Sequence, residues 1–314
     1  MTKLYVVVPC YNEEEALPIT TGVMSDKFDR LIEEGKITQD SRIVLVDDGS
    51  KDKTWEIISN LHNENRYVLG IKLSRNRGHQ NALICGLMSV IDMADAVISI
   101  DADLQDDIDA FDKMLEKYEE GCDIVYGVRE KRKTDTFFKR FTAEGYYKLL
   151  NKMGAKIVFN HADYRLLSNR ALRGLAEFKE VNLFIRGMIP MIGYKSDVAT
   201  YARTERVAGE SKYPLRKMLA LAFEGITSLS VKPIKMITRT GMTFSVFSTG
   251  FLIYFFIRFL LNYSVSGFAV TMAFIGFIAG VQLIAAGIIG SYIGKIYIET
   301  KQRPRYIVEK FLKK

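Results

Sequence analysis

Between Arg239 and Lys295 the chain carries a single charged side chain, Arg258. Backbone polar groups in a lipid interior must be satisfied within the segment, so such a stretch folds as helix or is shielded by protein. Two runs inside it, 241–261 and 268–289, can each span about 30 Å of hydrocarbon at about 1.5 Å per residue. A short polar break at 262–267 separates them. Basic residues crowd both flanks: Arg216, Lys217, Lys232, Lys235 and Arg239 before, and Lys295, Lys301, Arg303, Arg305, Lys310, Lys313 and Lys314 after. That arrangement suits an anionic cytoplasmic leaflet and predicts a helical hairpin in the cell membrane with both ends in the cytoplasm. Gly276, Gly280, Gly287, Gly290 and Gly294 recur at near-helical intervals, a pattern for close helix packing, including between subunits of a homo-oligomer.

The rest of the 314-residue chain is a different material. Apolar runs at 4–8, 43–46, 68–73, 96–100 and 123–126 read as buried strands. Segments 14–34, 53–61, 80–91 and 107–119 between them read as helices. Strands alternating with helices at this spacing predict an α/β domain on a mainly parallel sheet, with ligands at the carboxyl ends of the strands. The predicted organisation is a cytosolic domain over 1–230, two membrane helices within 231–298, and a basic cytosolic tail over 299–314. Segments 136–153 and 213–229 mix basic and apolar residues at helical spacing. They read as amphipathic helices on a membrane surface, with ordinary packing on the domain as the alternative.

The net charge of +7 is compatible with nucleic acid, anionic lipid or phosphorylated ligands. Its placement around the apolar tail favours lipid, and no basic motif of a nucleic-acid module is present. Cys10, Cys85 and Cys122 show no metal-like spacing and read as buried thiols in a reducing compartment. No GxGxxG or GxxxxGK[ST] occurs, which removes the main support for dinucleotide-binding and P-loop chemistry. His62, His79 and His161 are isolated in sequence, and no HExxH appears.

Asp101-Ala102-Asp103 directly follows the fourth predicted strand. A bare pair of carboxylates so spaced is ordinarily a solvated turn. At the end of a buried strand the two can face one divalent cation and a diphosphate, with the Gln105 amide oxygen nearby. Mg²⁺ or Mn²⁺ suits such oxygen ligands. Asp47-Asp48-Gly49-Ser50 follows the second strand. Its carboxylates can accept hydrogen bonds from a nucleobase or ribose, while Ser50 or Asp52 can instead cap the next helix.

Taken in order, Val8-Pro9-Cys10-Tyr11-Asn12-Glu13, Val46-Asp47-Asp48-Gly49-Ser50-Lys51-Asp52, Ser74-Arg75-Asn76-Arg77-Gly78-His79-Gln80 and Asp101-Ala102-Asp103-Leu104-Gln105 resemble glycosyltransferase family 2. With the tail, the whole chain is similar to the polyprenyl-phosphate glycosyltransferases of that family and to dolichyl-phosphate mannose synthases. The resemblance implies an A-type, Rossmann-like nucleotide-diphospho-sugar transferase domain. It also implies transfer of a sugar to a polyprenyl phosphate with inversion; glucose or N-acetylglucosamine on uridine diphosphate are the leading choices, with mannose on guanosine diphosphate behind. By the same resemblance Pro9, Tyr11, Glu13, Asp48, Arg75 and Asp101 serve the donor, and Asp101, Asp103 and Gln105 the metal. Asp163, in His161-Ala162-Asp163-Tyr164-Arg165, stands where the family has an acidic residue near the acceptor, and Asp163 with Asp103 is implied as catalytic. Lys139, Arg140, Arg165, Arg206, Ser211 and Lys212 are implied phosphate or acceptor contacts. Arg77 departs from the family pattern, which has an aromatic beside Gly78.

Two rival readings are a processive polysaccharide synthase of the same family and an inactive membrane scaffold. The first needs a QxxRW motif, yet the only tryptophan is Trp55, in the helix after the second strand. The second has no need for the carboxylates, yet Asp101, Asp103 and Asp163 are all present.

Overall fold

A computed structural model describes residues 1–129, 161–181, 183–202, 232–261 and 267–314. The five expected strands form as β1 (Leu4–Cys10), β2 (Arg42–Asp47), β3 (Val68–Leu73), β4 (Ala96–Ser99) and β5 (Ile124–Arg129). Between them lie α1 (Leu17–Glu33), α2 (Thr54–Glu64), α3 (His79–Ser89) and α4 (Ala110–Glu119). Then follow β6 (His161–Ser168), α5 (Asn169–Ala176), α6 (Ile185–Met191), β7 (Ser196–Tyr201), α7 (Lys232–Leu260), α8 (Phe268–Thr300) and β8 (Val308–Leu312).

Every residue of β1 is buried, as continuous apolar runs require when both faces of a sheet are covered. Alternation along the strand divides its side chains between two layers. Leu4, Val6 and Val8 join Leu17, Met24 and Phe28 of α1 and Phe111 and Met114 of α4. Tyr5 and Val7 join Leu83, Ile84 and Leu87 of α3, Leu172 of α5 and Ile189 of α6. Each such buried aliphatic or aromatic side chain contributes about 1.5–3 kcal/mol of transfer free energy. The result is a three-layer sandwich, helices on both faces of one sheet.

The sheet has eight strands in the order β7-β5-β6-β4-β1-β2-β3-β8. The core β4-β1-β2-β3 is parallel, as is β5 with β7. The sheet is nevertheless mixed, because β6 runs antiparallel to both β4 and β5, and β8 antiparallel to β3. Strand order reverses at β1, where β2 continues on one side and β4 on the other, and the crevice at such a point is the default ligand position. Since Ser99 pairs with Arg165, antiparallel β6 brings its amino-terminal end, with Asp163, to the carboxyl ends of the parallel strands.

The last residues depart from the expected tail. Val308–Leu312 covers the otherwise open edge of β3. Lys72 Nζ meets Glu309 Oε1 at 3.2 Å, and Ser74 N donates to Ile307 O at 3.0 Å. Tyr306 and Phe311 pack against the second core layer. A strand with Glu and Lys at successive positions carries little apolar signal, so composition hid it.

The expected surface helices at 136–153 and 213–229 lie outside the described residues. Both expected spans are helical, but one stretch among the described residues, Phe277–Thr300, is long and apolar enough to cross a membrane. That window extends beyond the expected 268–289, because α8 runs unbroken to Thr300. Apolar side chains along α7 and α8 are exposed, among them Val246, Phe247, Leu283 and Ile284.

One close approach sets the spacing of α3 on the sheet. A Cβ at Gly86 would stand 2.3 Å from Val7 Cγ1 and 2.9 Å from Val46 Cγ2. Gly86→Ala therefore forces α3 away from β1 and β2, and overpacking of this kind costs about 1–3 kcal/mol. Chemical denaturation followed by Trp55 fluorescence should give a lower midpoint for the variant.

Candidate active site

Three loops at the carboxyl ends of β1, β2 and β3 lock into one unit. Asn12, in the left-handed region at φ 55°, donates its backbone N–H to Ser50 Oγ at 3.0 Å and accepts Lys51 N on Oδ1 at 3.0 Å. Glu13 N donates to Thr54 Oγ1 at 2.9 Å. Neither Ser50 nor Asp52 caps α2, whose N-cap is Lys53 without a side-chain cap; Asp52 instead closes a local turn, accepting from Thr54 N at 3.1 Å. Asp47 Oδ1 accepts from Ser50 N at 3.0 Å. The buried Asp48 carboxylate accepts Arg77 N on one oxygen at 2.7 Å and Gly78 N on the other at 2.8 Å. Burial pushes its carboxyl up, and those two N–H groups oppose the rise. Gly49 sits at φ 65°, and a Cβ there would lie 2.5 Å from Arg75 C and Asn76 N. Only glycine lets the second and third loops touch so closely. Tyr11 and Arg75 are exposed on this unit, Glu13 is half-buried, and Pro9 is buried within β1.

The loop after β4 is strained and firmly held. Leu104 lies at φ 53°, which costs a non-glycine residue about 1–3 kcal/mol unless neighbours enforce it. Thr20 Oγ1 of α1 donates to Ala102 O at 2.7 Å on one side. On the other, the buried Asp106 accepts from Tyr201 Oη at 2.6 Å and from Arg129 Nε and Nη2 at 3.2 and 3.1 Å. Gln105 N closes a turn onto Asp103 Oδ1 at 3.2 Å, and the Gln105 side chain is mostly buried. Burial pushes the Asp101 carboxyl up; His79 opposes this, while Asp163, Asp106 and Asp103 add to it. An all-oxygen donor set under mutual repulsion fits a hard divalent cation. No three His, Cys, Asp or Glu side chains converge as a complete metal set among the described residues. Such a cation would thus complete its shell with phosphate and water.

Asp163 is the hub of the opposite wall. Arg165 Nη2 donates to its Oδ1, and Arg186 on α6 adds Nε to Oδ1 at 3.2 Å and Nη2 to Oδ2 at 2.9 Å. Ser99 Oγ fastens the Asp163 carbonyl at 2.8 Å. Burial alone would push this carboxyl up, but Arg165 and then Arg186 hold it well below the usual carboxylate range. His79, at the start of α3, places Nε2 3.7 Å from Asp101 Oδ1 and 3.9 Å from Asp163 Oδ2, so it bridges the two walls.

The fold thus gathers Asp48 and Arg75 in one loop unit, and Asp101 and Asp163 around His79. Lys139, Arg140, Arg206, Ser211 and Lys212 lie outside the described residues. Sequence reading gave no role to His79, Arg186, Asp106, Arg129 or Tyr201. His79 sits inside a quoted motif and was open to discovery there. Arg186 follows an apolar run with no motif, and only its position on α6 brings it to Asp163.

Arg165 is fully buried, so its charge depends on Asp163. Breaking such a pair from one side costs about 3–5 kcal/mol, and Asp163→Asn should lose stability on that scale at pH 7. Because the folded carboxyl is depressed, its contribution is complete above the unfolded value of about 3.9. It fades as pH falls through the lower folded value. Urea unfolding should therefore separate the two proteins widely at pH 7 and less with added acid.

Residues 5–175 match the family model described as glycosyl transferase family 2. The uncharacterized glycosyltransferase YkoT of Bacillus subtilis (strain 168) is 51% identical over 98% of this chain and 91% of its own. The bactoprenol glucosyl transferase of Shigella phage SfX is 41% identical over 98% of this chain and 99% of its own. A prophage bactoprenol glucosyl transferase homolog of Escherichia coli (strain K12) is 39% identical over 99% and 100%. With the motif loops meeting at the switch point of an A-type α/β sheet and relatives aligned nearly end to end, this chain belongs to glycosyltransferase family 2 and is a glycosyltransferase.

Proposed function

We propose that the enzyme transfers a sugar, glucose first and N-acetylglucosamine second, from uridine diphosphate to undecaprenyl or another polyprenyl phosphate at the inner face of the cell membrane. The observation that carries this is the near-complete alignment, at 41% identity, with a protein named bactoprenol glucosyl transferase. In this reading Pro9, Tyr11, Glu13 and Asp48 hold the nucleoside, with Arg75 and Asp101 beside them. Asp101, Asp103 and Gln105 would hold Mg²⁺ or Mn²⁺, which when bound neutralises charge on the departing nucleoside diphosphate. Lys139, Arg140, Arg206, Ser211 and Lys212 serve the phosphates and the acceptor, and the buried Arg165 serves them only through Asp163.

The acceptor is already an anion and needs positioning more than deprotonation. A carboxylate held ionised by two guanidiniums is a poor proton acceptor. Asp163 therefore acts by fixing the exposed Arg186 toward the acceptor phosphate, with the buried Arg165 holding the carboxylate from behind. Attack from the face opposite the leaving diphosphate inverts the anomeric carbon, giving a β-linked lipid-phosphate sugar from an α-linked donor.

The topology supports a two-span hairpin. Strand β8 pairs with β3, so the end of the chain lies on the same side of any membrane as the catalytic domain. Segment 232–300 must then cross an even number of times. If Phe277–Thr300 crosses, a second crossing follows, and α7 is the helix that precedes it. Glycines on α8 leave room for contact between subunits.

Asp103→Asn should abolish turnover while the protein stays folded and membrane-bound. Loss of a charged metal ligand costs about 10²-fold or more in rate. The assay is transfer of radiolabelled sugar from uridine and guanosine donors into a lipid fraction containing undecaprenyl phosphate. Near-normal turnover of the variant with saturating Mn²⁺ removes Asp103 from the metal site, and no lipid product from wild-type enzyme with any donor refutes the acceptor assignment.

The three native cysteines are buried and give little labelling background. A cysteine introduced at Ser264 should react with an impermeant thiol reagent in intact cells, whereas one at Lys313 should not. Labelling at 313 would rule out the hairpin.

A further inference from the structure

A short run of contacts joins the end of α8 to the acceptor-side carboxylate, and nothing in the reaction as described uses it. Glu299, one residue before the end of α8, is half-buried, and its Oε2 accepts from Val181 N at 2.8 Å. Arg305, just beyond the helix, donates from Nη2 to Phe178 O. These two charged side chains hold backbone groups at both ends of Phe178–Val181. Phe178 and Tyr306 both pack on the second core layer, to which Ile185, Met188 and Ile189 of α6 also belong, and Val181 O accepts from Leu183 N at 3.1 Å on the way to α6. At the start of α6, Ile185 N donates to Gln80 Oε1 at 3.0 Å. Gln80 neighbours His79, which lies between Asp101 and Asp163. The residue after Ile185 is Arg186, the two-pronged partner of Asp163.

We propose that Glu299 and Arg305 are positioning residues for catalysis. They fix Phe178–Val181 to the foot of α8, so that α6 presents Arg186 to Asp163 in the geometry the acceptor phosphate requires. The proposal rests on the polyprenyl-phosphate reading for the identity of the acceptor. Arginine has a long side chain, and its guanidinium is only as well placed as the backbone that carries it. Displacement of a substrate-positioning group by about 1 Å costs up to about 10²-fold in rate. The helix assigned to the membrane thereby sets one wall of the active site. Glu299 acts through a backbone N–H and not by its charge at the reacting atoms, so an amide oxygen in the same place serves as well.

The test uses the full chain in lipid nanodiscs with undecaprenyl phosphate, UDP-glucose and Mn²⁺. Glu299→Ala should lower kcat by about tenfold or more while the calorimetric affinity for UDP with Mn²⁺ and the unfolding midpoint stay near wild type. Glu299→Gln should recover most of the rate. Hydrogen exchange gives a readout independent of the acceptor: backbone amides of 178–187 should exchange faster in Glu299→Ala, with β1–β4 unchanged. Wild-type kcat in Glu299→Ala, equal losses in the Ala and Gln variants, parallel loss of UDP affinity, or unchanged exchange at 178–187 would each overturn the proposal. Wild-type enzyme that exchanges as expected yet makes no lipid product refutes the acceptor reading and leaves the strap from α8 to α6 standing.

Discussion

The register of β6 against β4 decides what the site can contain. Ser99 lies opposite Arg165, and side chains along a strand alternate between faces. Asp163, Arg165 and Leu167 therefore share the face covered by α3, α5 and α6, and Tyr164 and Leu166 share the face covered by α1 and α4. A slip of one residue would exchange the two sets. It would turn a guanidinium into the layer where Tyr164 packs against Phe111 and Tyr201, and would part Asp163 from Arg186. The register is thus tied down from both sides. Tyr164 Oη donates to Asp107 O at 2.9 Å on one face, and the Asp163–Arg165 pair forms on the other.

That pairing also divides the acidic groups of the site into two kinds. Asp106 is neutralised by Arg129 and anchored by Tyr201, and Asp163 by Arg165 and Arg186. Both carboxylates are structural charges that keep loops in place. Asp101 lies nearest to His79, at 3.7 Å, and burial together with its acidic neighbours pushes its carboxyl up. Carboxylates crowded in this way resist ionising together, and an added cation relieves them. Two of the acids build the frame, and the charge that gathers around Asp101 is what the proposed cation would relieve.

Much of this was legible in the residues, and the reasons for the rest are specific. Strands β1 to β5 announce themselves because they are apolar on both faces, and the motif loops follow from the polar clusters that stop them. Strand β6 does not, since HADYRLLS places an aspartate and an arginine in positions that look solvated until each is seen to neutralise the other. Strand β8 reads as a charged tail because an edge strand needs few apolar residues. Arg186 becomes visible as a site residue only when the start of α6 is bonded to the start of α3, where Ile185 N donates to Gln80 Oε1, a relation that no spacing along the chain encodes. The expected cap at Ser50 or Asp52 is not formed, because α2 starts one residue later, with Lys53 as its N-cap, while Ser50 and Asp52 bind the backbone of the neighbouring turns.

In the proposed membrane arrangement, the return of β8 to the sheet limits how far the site can lie from a bilayer. Residues 301–307 alone separate the end of α8 from β8. Fully extended, such a segment reaches about 25 Å at most, and Arg305 and Tyr306 are spent on the domain rather than on reach. With α8 placed in the membrane as proposed, the edge where β8 covers β3 then stands close to the headgroups, and the loop leaving β3 is Ser74–Gly78, whose backbone holds Asp48. A phosphate on a long prenyl chain stays at headgroup level, so it has no need to leave the membrane surface if the domain cannot drift away from it. A flexible tether of equal length would keep the protein on the membrane yet leave the orientation of the cleft free. A strand hydrogen-bonded to the sheet edge fixes distance and orientation together.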